Sequence, residues 1–341
     1  MRVRGPPSAQ VDDGKGHQLN RDREGNVKPL GSAQDQDQDQ DQDQPDVQIN
    51  PDRTESEETA ETFQLQPRSC KELKKDYGFT KDGIYTLVDN DDISYQTFCD
   101  MTTNEGGWTL VASIHENNIK GKCTIGDLWS SQRGNSSTSS TREGTWANHN
   151  TFGSTEGATS DDYKNPGYFH ISAADVSVWH VPNNRPLESW RRSAILRYHT
   201  DNHFLHQYGG NLFHLFTRFP VEYMKGRCPD DNGPAIPIIH DTGNEENTAN
   251  FYPPNIRDQV ELGFVHFRVF NNEGGALAMC SGVKAIGCDT EQFCVGAGSY
   301  FPEDPGQCGD FSAFDRNGYG ARKRLNASRE MTESAILLFY Q

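Results

Sequence analysis

The sequence predicts an α+β fold with short strands, few helices and extensive irregular loops, and three observations lead to this prediction. Short segments of β-branched and aromatic residues alternate with turn-forming residues, which is typical of strands. One longer segment, Asp201–Phe219, carries large apolar residues at helical spacing and is followed by Pro220, which favours a helix that ends there. Much of the remaining sequence is rich in Gly, Asn and Asp, which favour turns and loops.

Six segments of the sequence are predicted as strands from their apolar and alternating patterns. They are Gly83–Val88, Ser94–Phe98, Trp108–Ser113, Val176–Val181, Leu262–Phe270 and Ala335–Tyr340. In the fifth, Phe264, His266, Arg268 and Phe270 are expected on one side of a sheet, with Val265, Phe267 and Val269 on the other. The last is apolar throughout, which favours a buried or central strand. Asp89–Asp92 is predicted as the turn between the first two strands.

The first 66 residues are predicted to be a disordered, acidic, low-complexity segment, and residues 67–341 to be the folded domain. Residues 1–66 hold seven basic and fifteen acidic side chains, a net charge of −8, and Gln34–Gln44 is a strict alternation of Gln and Asp. A segment with so few large apolar residues cannot bury enough surface to offset the entropy lost on ordering.

The charge of the chain argues against several classes of partner. The whole sequence carries −17, so residues 67–341 carry the remaining −9, which disfavours nucleic acid and anionic membranes and suits a metal cation. No run approaches the ~20 apolar residues of a transmembrane helix. Residues 1–30 contain no apolar core of a signal peptide, although the cysteines favour an extracellular protein.

All eight cysteines lie in the folded part, from Cys70 onward. An even number favours disulfides in an oxidising compartment, with 105 pairings open to eight cysteines. The last four are spaced C-x7-C-x5-C-x13-C, unlike the short C-x2–4-C pairs of zinc sites, so disulfides are favoured over zinc. The sequons at Asn135 and Asn326 are candidate N-glycosylation sites and agree with secretion.

Three groups of acidic and amide residues are candidate cation sites. The first includes His115, Glu116 and Asn118, followed by Gly126, Asp127 and Asp162. The second is Asp289, Glu291 and Glu303, between and beside four cysteines, and the third is Asp310, which follows Cys308. Calcium takes six to eight oxygen ligands, and rigid extracellular loops of this composition commonly supply them. The spacing is not that of an EF-hand, and the alternative that these residues only form turns stays open.

The sequence carries no catalytic motif, so an enzyme is not expected. There is no H-E-x-x-H pair, G-x-S-x-G turn, P-loop or G-x-G-x-x-G run. Glu291 and Glu303 could in principle act as the acid and base of a glycoside hydrolase, but nothing in the sequence favours this over shared metal ligation.

Four segments closely resemble the intelectins, the X-type lectins. They are Tyr95–Asp127, Trp146–Tyr168, Val269–Asn272 with its Phe-Asn-Asn, and Cys308–Phe314. The FCDM…GGWTL portion is also similar to fibrinogen-like domains in general. The resemblance implies a fibrinogen-like/intelectin carbohydrate-recognition domain over residues 67–341, its fibrinogen-like portion at about 67–120. It also implies short twisted sheets, few helices and four disulfides.

The resemblance also implies which residues pair and which bind calcium, with about three Ca²⁺ per chain. It selects the disulfides Cys70–Cys99, Cys123–Cys308, Cys228–Cys288 and Cys280–Cys294. It places one structural calcium on His115, Asp127 and Asp162, and a second on Glu116, Asn118, Gly121, Gly126 and Asp310. A third, ligand-exchanging calcium falls to Asp289, Glu291 and Glu303. His115 is expected to offer its backbone oxygen, because calcium prefers oxygen ligands.

The sugar-binding residues implied by the resemblance are Glu291, Gln292, Glu303, Arg316 and Leu325, and this sequence departs from the family at several of them. Intelectins commonly have Asn where this chain has Asp289, His where it has Gln292, and aromatic residues at the positions of Arg316 and Leu325. The loss of both aromatic side chains removes an apolar wall beside the sugar. Arg316 offers instead a partner for a sugar carboxylate or phosphate, or for Glu303 or Asp315 of its own chain.

Two functions follow from the sequence. The first is a secreted calcium-dependent lectin that binds terminal exocyclic 1,2-diols of microbial glycans with altered specificity. The second is a fibrinogen-like protein-interaction module that keeps calcium for structure alone. The eight cysteines leave none over for a covalent oligomer, and a non-covalent homotrimer stays open.

Overall fold

The computed structural model describes residues 65–115, 128–129, 145–251, 254–290, 293–297 and 334–341. The predicted N-terminal disordered segment lies almost entirely outside these residues. Within them the chain is mainly β-structure with short helices, as the sequence predicted. Across the described residues, each helix is too short or too polar to cross a membrane.

The described strands are numbered β1 to β14 in chain order. They are β1 Gly83–Val88, β2 Ser94–Asp100, β3 Trp108–Ile114, β4 Tyr163–Lys164, β5 Val176–Pro182, β6 Leu196–His199, β7 Ala235–Pro237, β8 Ile239–Thr242, β9 Val260–Leu262, β10 Phe264–Phe270, β11 Ala276–Cys280, β12 Val283–Ala285, β13 Cys294–Ala297 and β14 Ser334–Tyr340. The described α-helices are α1 Cys70–Tyr77, α2 Gly167–His170, α3 Trp190–Ser193, α4 Leu212–Arg218 and α5 Glu245–Phe251.

The described strands form three sheets. The largest has eight strands in the order β1-β2-β3-β14-β5-β6-β8, with β4 paired to β3. A second sheet has the order β13-β11-β10-β7, and β12 pairs with β9 in a third. All pairs of named strands are antiparallel.

The last described strand, β14, lies at the centre of the largest sheet, which confirms the prediction of a buried or central strand at 335–340. It pairs with β3 on one side and β5 on the other. Ile336, Leu338 and Tyr340 pack into one apolar cluster, whereas Leu337 and Phe339 pack into another. Both faces of β14 are therefore buried, which explains why its sequence is apolar throughout instead of alternating.

Helix α1 begins and ends at residues that cap its backbone. Ser69 lies at its N-cap and accepts a hydrogen bond from the amide of Glu72 at 3.1 Å. Glu72 in turn accepts one from the amide of Arg68 at 2.7 Å, which makes a variant of the capping box. Gly78 ends the helix with a φ of 74°, in the left-handed region that glycine adopts without strain.

The prediction of one helix over Asp201–Phe219 is wrong. The structure has a short 3₁₀-helix, Phe204–Tyr208, followed by α4 at Leu212–Arg218. Gly209 and Gly210 separate them with φ values of 81° and 87°, which an α-helix cannot contain. Asn211 then caps α4, because its side chain accepts a hydrogen bond from the amide of His214 at 3.0 Å.

The prediction of one strand over Leu262–Phe270 is also corrected. Gly263 has a φ of 87° and separates β9 from β10, which belong to different sheets. Within β10 the expected alternation ends at Arg268, whose φ is 46°. Phe270 consequently packs in the same cluster as Phe267, whereas Val269 packs in another. The other five predicted strands are confirmed, most of them one or two residues longer than expected.

Candidate functional site

Three disulfides are present among the described residues, and their pairing agrees with the one that the family resemblance implied. They are Cys70–Cys99, Cys228–Cys288 and Cys280–Cys294, with Cα–Cα distances of 5.5, 5.7 and 4.1 Å. The fourth predicted pair, Cys123–Cys308, lies outside the described residues.

Two of these disulfides hold the segment that contains Asp289. Cys280 and Cys294 lie opposite each other on β11 and β13, so their disulfide closes the segment at both ends. Cys288 ties its middle to Cys228. The backbone is held as well, since Gln259 O accepts hydrogen bonds from the amides of residues 286 and 287 at 2.8 and 3.0 Å. The segment therefore has anchors on both sides of Asp289.

Asp289 is half-buried, and its carboxylate faces neutral amides. The side-chain nitrogen of Gln259 lies 3.4 Å from Oδ2, and that of Asn272 lies 3.5 Å from Oδ1. The backbone amide of Asp289 donates to Gln259 Oε1 at 3.4 Å. Among the described residues, no lysine or arginine pairs with this carboxylate. The described part of the chain therefore holds the Asp289 carboxylate in place but does not neutralise its negative charge.

Asp162 forms the second described piece of the predicted metal sites, together with His115. The Asp162 side chain is buried. Its Oδ1 accepts a hydrogen bond from the backbone amide of His115 at 3.0 Å, and its Oδ2 accepts one from the amide of Leu128 at 2.9 Å. The structure thus brings His115 and Asp162 together, although 47 positions separate them in the chain.

The His115 ring is buried and electrically neutral. Burial lowers its pKa to about 4, and the Asp161 carboxylate only partly opposes this shift. Its Nε2 has no hydrogen-bond partner among the described residues. A neutral ring adds no positive charge beside the Asp162 carboxylate. A buried carboxylate beside a neutral ring is compatible with a cation, and calcium at this position stays a prediction.

Most of the predicted site residues lie outside the described part of the chain. The metal-site residues in this position are Glu116, Asn118, Gly121, Gly126, Asp127, Glu291, Glu303 and Asp310. The sugar-site residues are Glu291, Gln292, Glu303, Arg316 and Leu325, and the glycosylation candidates are Asn135 and Asn326. Their roles stay predictions.

Sequence reasoning missed two residues that contact Asp289. Gln259 is the last residue of a 3₁₀-helix, Pro254–Gln259, and no motif marks it. Asn272 belongs to the Phe-Asn-Asn motif, and its amide donates to Cys288 O at 3.2 Å. The Phe-Asn-Asn motif could have drawn attention to Asn272, because it marks the turn after β10 as similar to the intelectins. The motif does not show which residues this turn contacts.

A surface cleft of about 310 Å³ lies elsewhere in the described part of the chain. Its lining includes Tyr95, Phe152, Glu156, Tyr163 and Lys164. Burial lowers the pKa of Lys164 to about 7, and its ammonium donates to Asn148 O at 2.8 Å. None of the predicted metal or sugar ligands lines this cleft, so it adds no support to sugar binding.

Part of the chain is similar to a fibrinogen-like domain. Residues 66–150 match the model of the fibrinogen beta and gamma chains, C-terminal globular domain. The fibrinogen-like fold predicted from the sequence is thereby confirmed, with a match that extends beyond the expected portion of about 67–120. Fibrinogen-like domains are generally extracellular binding modules and not enzymes.

One solved structure similar to this chain is the fibrinogen-like globe domain of human ANGPTL6. The two chains share 17% sequence identity, and the match covers 41% of this chain and 51% of that one. The TM-score is 0.23, so the assignment of the fold rests on the family match.

Proposed function

We propose that this chain is a secreted calcium-dependent lectin of the intelectin type, which binds terminal exocyclic 1,2-diols of microbial glycans. The observation that carries the proposal is Asp289. Its carboxylate is held in a segment closed by two disulfides and contacts only neutral amides in the described part of the chain. A carboxylate fixed in this way is suited to a cation.

Asp289 is proposed to bind this calcium together with Glu291 and Glu303. Three carboxylates around one Ca²⁺ give a net charge of −1, which favours retention of the metal. Calcium has room for six to eight oxygens, so coordination positions remain for a ligand. Bound calcium would supply a Lewis-acidic centre that accepts two neighbouring hydroxyl oxygens of a sugar.

The specificity is proposed to differ from that of intelectins with aromatic residues around the sugar. Gln292 can donate and accept hydrogen bonds but has no imidazole. Leu325 offers less apolar surface to a ring than an aromatic side chain. Arg316 can form a paired hydrogen bond with a carboxylate or phosphate, so acidic sugars are the preferred class of ligand.

Two further calcium ions are proposed to have a structural role, which gives about three per chain. One would take His115, Asp127 and Asp162, and the other Glu116, Asn118, Gly121, Gly126 and Asp310. The neutral His115 ring and the buried Asp162 carboxylate support the first of these. Disulfides in the described part of the chain support secretion, since such bonds persist in oxidising compartments.

A glycan array tests the proposal most directly. In calcium the chain is expected to bind glycans with a terminal 1,2-diol, and EDTA should abolish that binding. Glu303→Ala should abolish it too because a calcium ligand is removed, whereas the neighbouring Asp304→Asn should bind as the parent does. Binding that is equal with and without calcium would contradict the proposal.

The alternative is a fibrinogen-like module that binds a protein and keeps calcium only for structure. This alternative is favoured by the differences from the intelectins at Gln292, Arg316 and Leu325, because they remove the side chains that surround the sugar in that family. In this case the array stays blank although calcium still raises Tm, because calcium would bind the folded state alone.

A gain-of-function variant separates the two functions. The triple change Gln292→His, Arg316→Trp and Leu325→Tyr restores the family's residues at these positions. If the parent lacks only the side chains that surround the sugar, the triple variant should bind 1,2-diols that the parent does not bind. If the parent already binds acidic diols, the triple variant should lose that preference, because Arg316 is gone.

A further inference from the structure

Two exposed apolar side chains are joined by contacts to opposite sides of Asp289. They are Met224, which is 67% exposed, and Ile286, which is 54% exposed, and neither was among the predicted site residues. Single exposed apolar side chains are common on protein surfaces, but these two flank one carboxylate that the described part of the chain does not neutralise. We propose that Met224 and Ile286 form an apolar surface beside the calcium site, which contacts an acyl or alkyl group next to the diol of the glycan. This ligand class is a narrower form of the proposed function and depends on it.

Ile286 lies on the side of Asp289 that faces Gln259. The backbone amide of Ile286 donates to Gln259 O at 2.8 Å, and the side-chain nitrogen of the same glutamine lies 3.4 Å from Asp289 Oδ2. Ile286 also precedes Cys288 by two positions, and the disulfide of Cys288 holds this segment. The backbone that carries Ile286 is therefore fixed with respect to the Asp289 carboxylate.

Met224 lies on the other side of Asp289, which faces Asn272. The amide of Met224 donates to Gly274 O at 2.8 Å, and a Cβ on Gly274 would lie 2.5 Å from Met224 Sδ, so both the backbone and the side chain of Met224 rest against this glycine. Gly274 belongs to the turn after β10, whose Asn272 side chain lies 3.5 Å from Asp289 Oδ1. The disulfide Cys228–Cys288 is a second connection between the two segments.

The backbone of Met224 has a φ of 58°, in the left-handed region. Residues other than glycine, asparagine and aspartate are uncommon there, and backbone conformations of this kind cluster at active sites and ligand-binding sites. The unusual backbone does not bury the Met224 side chain, which stays exposed. Methionine is flexible and polarisable, so it adapts to apolar groups of different shapes. These properties favour contact with a ligand.

A ligand that uses both features carries a polar part and an apolar part. Two hydroxyl oxygens of a diol would bind the proposed calcium, and an acyl or alkyl group on the neighbouring carbon would lie on Met224 or Ile286. The sequence lacks the aromatic residues of the intelectins at Arg316 and Leu325, so Met224 and Ile286 would supply apolar contact instead. Each methylene that the ligand buries should strengthen binding about fourfold.

Two ethers of glycerol, 1-O-methylglycerol and 1-O-butylglycerol, test the proposal with the full chain. Both carry the same terminal 1,2-diol, but the butyl ether has the longer apolar group. In calcium the parent is expected to bind the butyl ether more tightly than the methyl ether, by on the order of tenfold if about half of the added chain is buried. Titration followed by nuclear magnetic resonance gives both Kd values.

The variants Met224→Gln and Ile286→Thr replace apolar atoms by polar ones. Each is expected to reduce the ratio of the two Kd values severalfold and to leave the Kd of the methyl ether unchanged. Ile93→Thr is the matched control, because Ile93 is 60% exposed in the turn between β1 and β2 of the largest sheet. This variant should keep the ratio of the parent.

Labelling of the methionine methyl groups with ¹³C shows the contact directly. The signal of Met224, which is assigned by its loss in Met224→Gln, should shift with the butyl ether and not with the methyl ether. Met101 and Met279 are buried, so their signals should shift with neither.

The outcomes separate this proposal from the proposed function. Equal Kd values of the two ethers in the parent, or a ratio that neither variant changes, would overturn the apolar surface while diol binding stands. If neither ether binds in calcium, the proposed function fails and the apolar surface fails with it.

Discussion

At the scale of single residues, His266 shows how burial fixes the protonation state of a side chain. Its ring is buried in β10, where Nδ1 accepts a hydrogen bond from the amide of Ala285 at 3.1 Å and Nε2 faces Gly233 O at 3.0 Å. A carbonyl oxygen requires a donor and an amide requires an acceptor, so only the neutral tautomer with hydrogen on Nε2 satisfies both. Protonation would direct a second donor at the Ala285 amide.

We expect acid to destabilise the fold through this ring and through His180. Burial lowers the pKa of His266 to about 4 and that of His180 to about 3, from the ordinary 6.5. Between these values and 6.5 the unfolded chain binds more protons, so the free energy of unfolding falls as the pH falls. The slope is up to ~1.4 kcal/mol per pH unit for each ring.

Urea unfolding at a series of pH values measures this slope. His266→Gln keeps a donor for Gly233 O and an acceptor for the Ala285 amide, but it does not titrate. The free energy of unfolding of this variant should therefore fall less steeply below pH 6.5. The slope should be reduced by about the contribution of one imidazole ring. An unchanged slope would mean that His266 is not protonated on unfolding.

The sequence shows which residues can bind a metal but not which ones meet. Asp289 could be predicted from the local sequence, because it directly follows Cys288, whose disulfide fixes this segment. His170 could not be associated with Asp89, because their contact depends on how α2 packs against the β1–β2 turn. The same holds for Gln259, whose side chain contacts Asp289 although 30 positions separate the two residues.

At the scale of elements, strands were easier to predict than the helix. The correctly predicted strands carry continuous or alternating apolar residues; they are β1, β2, β3, β5 and β14. Each of them pairs with one or more neighbouring strands of the largest sheet. The helical spacing over 201–219 was real, but Gly209 and Gly210 break it. A Cβ on Gly210 would lie 2.8 Å from Ser172 Oγ, so that position also requires a close approach.

We expect the disulfides to differ in their effect on metal binding. Replacement of Cys280 and Cys294 by Ala should cost about 3 kcal/mol of stability, and the Cys70→Ala/Cys99→Ala pair a similar amount, because both close short loops. Only the first pair holds the segment of Asp289. Calorimetry should therefore find weaker calcium binding in that variant alone.

Equal calcium affinity in the two disulfide variants would contradict this expectation. The Cys70–Cys99 bond is a suitable control because it lies in a separate apolar cluster with Leu73, Leu87 and Met101. Urea unfolding of both variants shows whether they lose comparable stability, so that a difference in calcium binding is not a difference in folding.

At the scale of the whole molecule, the largest sheet joins strands from both ends of the domain. β14 inserts between β3 and β5, which are distant from it in the sequence. Its apolar run predicted a central strand but not its neighbours, because strand order depends on long-range packing. In the same way the predicted calcium ligands come from separate parts of the chain, so calcium binding would link folding across the domain.

Calcium is therefore expected to raise Tm, since a ligand that binds only the folded state stabilises it by about 2.7 kcal/mol at a hundred times its Kd.

Two variants should separate structural from ligand-binding calcium. Asp162→Asn should reduce the rise in Tm between EDTA and calcium, whereas Asp289→Ala should keep most of that rise and lose glycan binding. The rise is compared, not the absolute Tm, because Asp162 also accepts two backbone hydrogen bonds. An equal rise with magnesium would contradict a calcium site, since magnesium requires a smaller octahedral set of ligands.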